Sequence, residues 1–279
     1  MKILRSRTWT HGAFIVLGSL LISGCGAVSV SSSHAQAPQS STAISTIYAG
    51  GAANHTIIIP NNDMFAPYIA QLNVGDTVTW VNEDTVLHTI LTSPTMQGDA
   101  VNPTQFQFVL GPGKSASLTL RQPGLYYYYC DAHATLVAGG PAAARTGVRA
   151  FPVPMDGFLY VLGQGISASA NQTVNMSSDN RFAPWLTIIN PGGVVRWMNQ
   201  SQRAITLHGV PGYGLLNPTS LDLRVAPGSS AAITFQAVGI YDYYSVESAK
   251  VVPVWLRPEA LPGVAGYPVP MEGIVAVFP

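Results

Sequence analysis

Cys130 and His133 stand three residues apart at the end of an aromatic run, Tyr126 to Tyr129. A second imidazole, His88, lies inside the apolar, β-branched run Val86-Leu87-His88-Thr89-Ile90, and a thioether, Met155, precedes Asp156-Gly157. One thiolate, two imidazoles and one thioether form a soft, mixed donor set that holds copper in both oxidation states and suits one-electron transfer. A Cys and a His three apart on a tight loop can both turn toward one metal. The other imidazole must come from a distant loop that the fold carries alongside, so the site depends on packed strands rather than on local sequence.

The rest of the chain supplies such strands. Of 279 residues, 47% are apolar and only 9% charged, with 27 Gly and 21 Pro. That composition reads as short strands between turns, and no stretch carries sustained helical periodicity. Strand-like runs cover Thr56 to Ile59, Gln71 to Val74, Thr77 to Val81, Phe106 to Leu110, Ser115 to Leu120, Leu125 to Tyr129 and Phe158 to Leu162. Gly75-Asp76 reads as a hairpin-type turn, and Gly111-Pro112-Gly113 as a further turn. Side chains alternate along a strand, so two of the four tyrosines should reach the core and two the surface or a domain interface. No basic stripe suggests nucleic-acid binding.

The pattern then repeats. Phe182-Ala183-Pro184 answers Phe65-Ala66-Pro67, Arg196-Trp197-Met198-Asn199 answers Thr79-Trp80-Val81-Asn82, and Met271-Glu272-Gly273 answers Met155-Asp156-Gly157. The expected fold class is all-β, with two tandem Greek-key sandwiches over 51–164 and 165–279. Aligned this way, His88 falls on Ile205, Cys130 on Ser245 and His133 on Ser248. The second copy keeps the framework without the three strong donors. His208 aligns with Leu91 and should face away from the site. Met155 does have a counterpart, Met271, so it is either a weak axial ligand or a packing residue. The loop from Ala134 to Pro154 is long, and the second copy has a similar one. His55, at a strand start, reads as an exposed polar position, and His34 lies in a tether.

Taken together, Phe65-Ala66-Pro67, Val74 to Asn82, His88, Gly124-Leu125-Tyr126, Cys130-Asp-Ala-His133 and Met155-x-Gly157 resemble the plastocyanin-type cupredoxin pattern over roughly residues 50 to 164. The resemblance implies a Greek-key sandwich holding one type 1 (blue) copper through His88, Cys130, His133 and Met155, with His133 at the exposed edge. It also implies electron transfer to redox partner proteins, such as a cytochrome or a respiratory or oxidase complex. A copper carrier is the alternative. A two-domain copper oxidase or nitrite reductase relative is the other, but it would need further copper ligands: Tyr129 and Asp131, not His, flank Cys130, and there is no His-x-His pair.

Residues 1–25 read as a secretory leader. Lys2, Arg5 and Arg7 precede a short apolar core, and Leu21-Ile22-Ser23-Gly24-Cys25 resembles a bacterial lipobox. The resemblance implies lipidation of Cys25 and a chain held at the periplasmic or extracellular face of a membrane. Cys130 is then left without a disulfide partner. Residues 26–50, rich in Ser, Ala and Thr, read as a flexible tether. Without the leader's basic residues, ten basic face 13 acidic residues, a net of −3.

Overall fold

The computed structural model describes residues 52–96, 100–211 and 221–279. The leader, Cys25 and the tether lie outside the described residues. Those described are all-β, fall within one compact unit, and include no helix.

The N-terminal half contains β1 (Asn54–Ile59), β2 (Ile69–Asn73), β3 (Thr77–Asn82), β4 (His88–Thr92), β5 (Gln107–Leu110), β6 (Ser115–Thr119), β7 (Gly124–Cys130), β8 (Ala134–Thr135), β9 (Ala143–Ala144) and β10 (Asp156–Leu162). Three of them form a sheet in the order β1-β3-β6, and five form a second sheet, β2-β10-β7-β4-β5. Ile57, Val78, Trp80, Tyr126, Tyr128, Leu159 and Val161 fill the space between the two. The hairpin expected at Gly75-Asp76 is a sheet crossing instead, and the turn at Gly111-Pro112-Gly113 is a second crossing. β2 and β3 do not pair, and neither do β5 and β6, because each turn carries the chain from one layer to the other. At the first crossing Gly75 takes φ +99°, a conformation natural to glycine. The buried Asp76 carboxylate gathers the N–H groups of Ala53 (2.7 Å) and Asn73 (2.8 Å). His55 bonds the same carboxylate at 3.0 Å, so it is a half-buried, paired residue rather than an exposed one.

The C-terminal half contains β11 (Ser169–Met176), β12 (Phe182–Ala183), β13 (Leu186–Asn199), β14 (Ile205–Gly209), β15 (Asp222–Val225), β16 (Ser230–Phe235), β17 (Gly239–Ser245), β18 (Ala249–Val252), β19 (Arg257–Ala260) and β20 (Glu272–Val277). Its ladders reproduce those of the first half. The parallel pair β11/β13 matches β1/β3, and the antiparallel pairs β17/β20 and β14/β17 match β7/β10 and β4/β7. One difference is that β13 runs unbroken through the position where β2 and β3 separate, merging the two layers' ladders into one sheet.

The two halves share a core. Tyr126 and Tyr128 point into the first half's interior, whereas Tyr127 and Tyr129 point outward and are buried with Phe158, Tyr160, Trp185, Ile189 and Val277. The Tyr127 ring meets Trp185 edge-on with centroids 5.1 Å apart. β7 and β10 are therefore covered on both faces, which is why their sequences are apolar or aromatic without polar alternation. Charge is buried in this interface too. Arg257 lies 2.6 Å from Asp156 and stacks 3.5 Å over the Tyr68 ring, while the Tyr68 hydroxyl donates to Glu272 at 3.1 Å.

Candidate metal centre

The three strong donors meet at one end of the first sandwich. β4 begins at His88 and β7 ends at Cys130, and the antiparallel pairing Ile90↔Cys130 sets the two side by side. After Cys130 the chain turns tightly: His133 N–H donates to Cys130 C=O at 3.1 Å and Asp131 N–H to Thr89 C=O at 3.2 Å. This brings both imidazoles to the sulfur. Cys130 Sγ is 3.2 Å from His133 Nδ1 and 3.7 Å from His88 Nδ1, and the two rings are 4.7 Å apart. One donor atom from each of the three residues falls within a 4.8 Å group. Below them, Asn82 donates to Val86 C=O (2.8 Å) and Leu110 C=O (3.0 Å) and accepts from Asp84 N–H (2.9 Å), so the loop into His88 is fixed.

Burial prepares these groups as ligands. Desolvation, with the neighbouring His133 charge, holds His88 below its ordinary value, so its ring is neutral and free to donate an electron pair. Burial pushes the Cys130 thiol up, against nearby main-chain hydrogen bonds, so a cation at the site is what would favour the thiolate. His88 is fully buried, while 13% of the His133 side chain is exposed. A buried soft thiolate with two imidazole nitrogens fits copper.

Met155 is buried in the cluster that contains Cys130, and its C=O accepts Cys130 N–H at 2.9 Å. In the second half Ser245 N–H donates to Met271 C=O at 3.0 Å, so that main-chain contact belongs to the framework. The Met-x-Gly motif has a packing reason as well. A Cβ on Gly157 would come within 2.6 Å of the Tyr128 hydroxyl.

Two buried carboxylates face the far sides of the imidazoles. Asp84 Oδ2 is 3.4 Å from His88 Nε2, and Asp63 Oδ1 is 3.5 Å from His133 Nε2. Arg149 reaches both: its guanidinium is 3.0 Å from Asp84 Oδ1, and its main-chain N–H donates to Asp63 Oδ2 at 2.7 Å. Sequence reasoning missed all three residues. Only Asp84, four residues before His88, left a local signal.

In the second half, Ile205 and Ser245 occupy the positions of His88 and Cys130, and Ser248 repeats the turn of His133. His208 pairs with Asp222, away from those positions. Residues 53–140 match the model of the copper-binding proteins of the plastocyanin/azurin family. This chain is cupredoxin-like. The chloroplastic plastocyanin of Oryza sativa subsp. indica is 29% identical over 98 residues, 33% of this chain and 64% of that protein, so the chain spans less than two-thirds of this relative's length. Among solved structures, a purple cupredoxin from Nitrosopumilus maritimus is 24% identical with a TM-score of 0.27, covering 38% of this chain and 98% of its own. An oxidized amicyanin mutant is 20% identical with a TM-score of 0.28, covering 38% and 80%. Copper is the cofactor that the family and the donor set of this cupredoxin-like chain both indicate.

Proposed function

We propose that this chain is an electron-transfer protein with a single type 1 copper centre in its N-terminal sandwich (51–164), held by His88, Cys130 and His133 with Met155 as the weak axial ligand. The observation that carries the reading is the convergence of three donor atoms within 4.8 Å, at positions where the second copy has Ile205, Ser245 and Ser248. Bound copper would supply a one-electron Cu(II)/Cu(I) couple. The residues do the remainder. Strand pairing and the Cys130–His133 turn hold the donors in place, so little reorganisation accompanies a change of charge. The buried ring of His88 and the aromatic core exclude water. His133 offers the partly exposed edge against which a redox partner docks. The second sandwich (165–279) covers the outer face of β7 and β10 and stiffens the strand that ends in Cys130.

In this reading Cys25 carries a lipid, the tether spans residues 26–50, and the protein works at the periplasmic or extracellular face of a membrane beside a cytochrome or a respiratory or oxidase complex. Voltammetry of the copper-loaded chain tests it: a reversible one-electron wave with copper retained through repeated cycles is expected. Loss of copper to a Cu(I) chelator at every reduction would make it a carrier instead.

A further inference from the structure

We propose that Asp63 and Asp84, linked through Arg149, act as positioning residues that orient both imidazoles and set the reduction potential of the copper site. The inference deepens the electron-transfer reading and rests on it.

The geometry is specific to the far nitrogens. Each ring turns Nδ1 toward Cys130 Sγ and Nε2 toward a carboxylate. A ring that donates Nδ1 to a metal carries its proton on Nε2, and a carboxylate there fixes that tautomer and strengthens the donor. At His88 the contact is isolated: His88 Nε2 and Asp84 Oδ2 are both fully buried, lie 3.4 Å apart, and have no hydrogen-bond partner elsewhere among the described residues. Two carboxylates against one guanidinium leave net negative charge behind the rings, which favours the more positive oxidation state.

The second half separates this role from an architectural one. Asn180 stands where Asp63 does, at a nearly equal φ (59° against 57°), and its side chain still ties down the long loop by donating to Ala265 C=O at 2.8 Å. Ser201 takes the place of Asp84, with the same N–H donation to the framework Asn at 2.9 Å. Ala265 takes the place of Arg149. Neutral residues therefore stand at all three positions in the copy that also lacks the donors, although the Arg203 guanidinium donates to Asn180 Oδ1 there.

The test is the potential of the copper-loaded full chain with Asp63→Asn, Asp84→Asn, Arg149→Gln and Arg149→Lys, with copper content, visible spectrum and the imidazole nitrogen NMR signals of the Cu(I) form. We expect each Asn variant to keep its copper and colour and to shift the Cu(II)/Cu(I) ratio at fixed potential toward Cu(I) by roughly tenfold, a rise of about 59 mV. The His88 Nε2–H signal should move in Asp84→Asn. Arg149→Gln should shift the ratio the opposite way, and Arg149→Lys should return it to the parent value. Asn variants that keep copper and colour with a ratio within twofold of the parent overturn the inference and leave the electron-transfer reading standing. Loss of copper in them also overturns it, since the two carboxylates would then be needed to assemble the site rather than to tune it. A parent chain with no colour overturns the electron-transfer reading itself.

Discussion

Replacing Arg257 by Met should destabilise the fold severely, although Arg257 lies in the half without the copper donors. Its side chain is fully buried and faces Asp156, whose own exposure is 1%. The 2.6 Å approach is an ionic contact, and longer bonds of 3.4 Å reach the carbonyls of Pro154 and Asp156. Glu272 and Asp242 lie in the same pocket, where burial raises both carboxyls. Removing Arg257 takes the counter-charge from the buried Asp156 carboxyl, with Glu272 and Asp242 close by. Breaking a buried pair in this way costs about 3–5 kcal/mol, a large share of the roughly 5–15 kcal/mol that holds a typical protein folded. Urea unfolding of the copper-free chain followed by tryptophan fluorescence measures it, since Trp185 packs on Tyr127 in the same interface. We expect the midpoint to fall at an unchanged slope. The double variant Arg257→Met/Asp156→Asn should recover part of the loss, because it removes one uncompensated charge. A loss below about 1 kcal/mol, the range of an exposed pair, would refute the reasoning.

Burial, opposed by Arg257 and reinforced by Asp156, raises the Glu272 carboxyl from 4.5 to about 7. A folded-state value above the unfolded one means that its stabilising effect is complete below pH 4.5 and lost as pH rises through 7. The chain should therefore be more stable to urea at pH 5 than at pH 8, and Glu272→Gln should flatten that slope. Cys130→Ser should abolish the blue band while the fold survives, as Ser245 does in the second half, and circular dichroism alongside absorbance would check it. Met155→Leu should keep the copper and the Cys130 band but raise the potential, because a weak donor is lost; an unchanged potential would make Met155 a packing residue like Met271.

How much was legible in the sequence depended on distance along the chain. Cys130 and His133 announce themselves because one turn presents both, and His88 because a polar ring stands in an apolar strand. The repeat made them sharper, as it supplied a copy with the donors removed. Tyrosine alternation was readable from the two-residue period, and the second half's coverage decided that the outer pair is buried. Asp63 and Arg149 were not legible, since they are 86 residues apart and meet only when the long loop folds over the donor end. Nor was the pairing of Asp156 with Arg257, which depends on the two halves packing. The turn misread as a hairpin, Gly75-Asp76, carries ordinary hairpin residues, and only the assembly of two layers makes it a crossing.

The central claim is one copper bound through Cys130. Its most direct test is a Cu(II) titration of the full chain, following visible absorption while bound copper is counted, beside Cys130→Ser. The account predicts an intense blue band that saturates at one copper per chain, bleaches on reduction and is missing from the Ser variant. A band that persists in Cys130→Ser, or uptake of two or more coppers per chain, would contradict it.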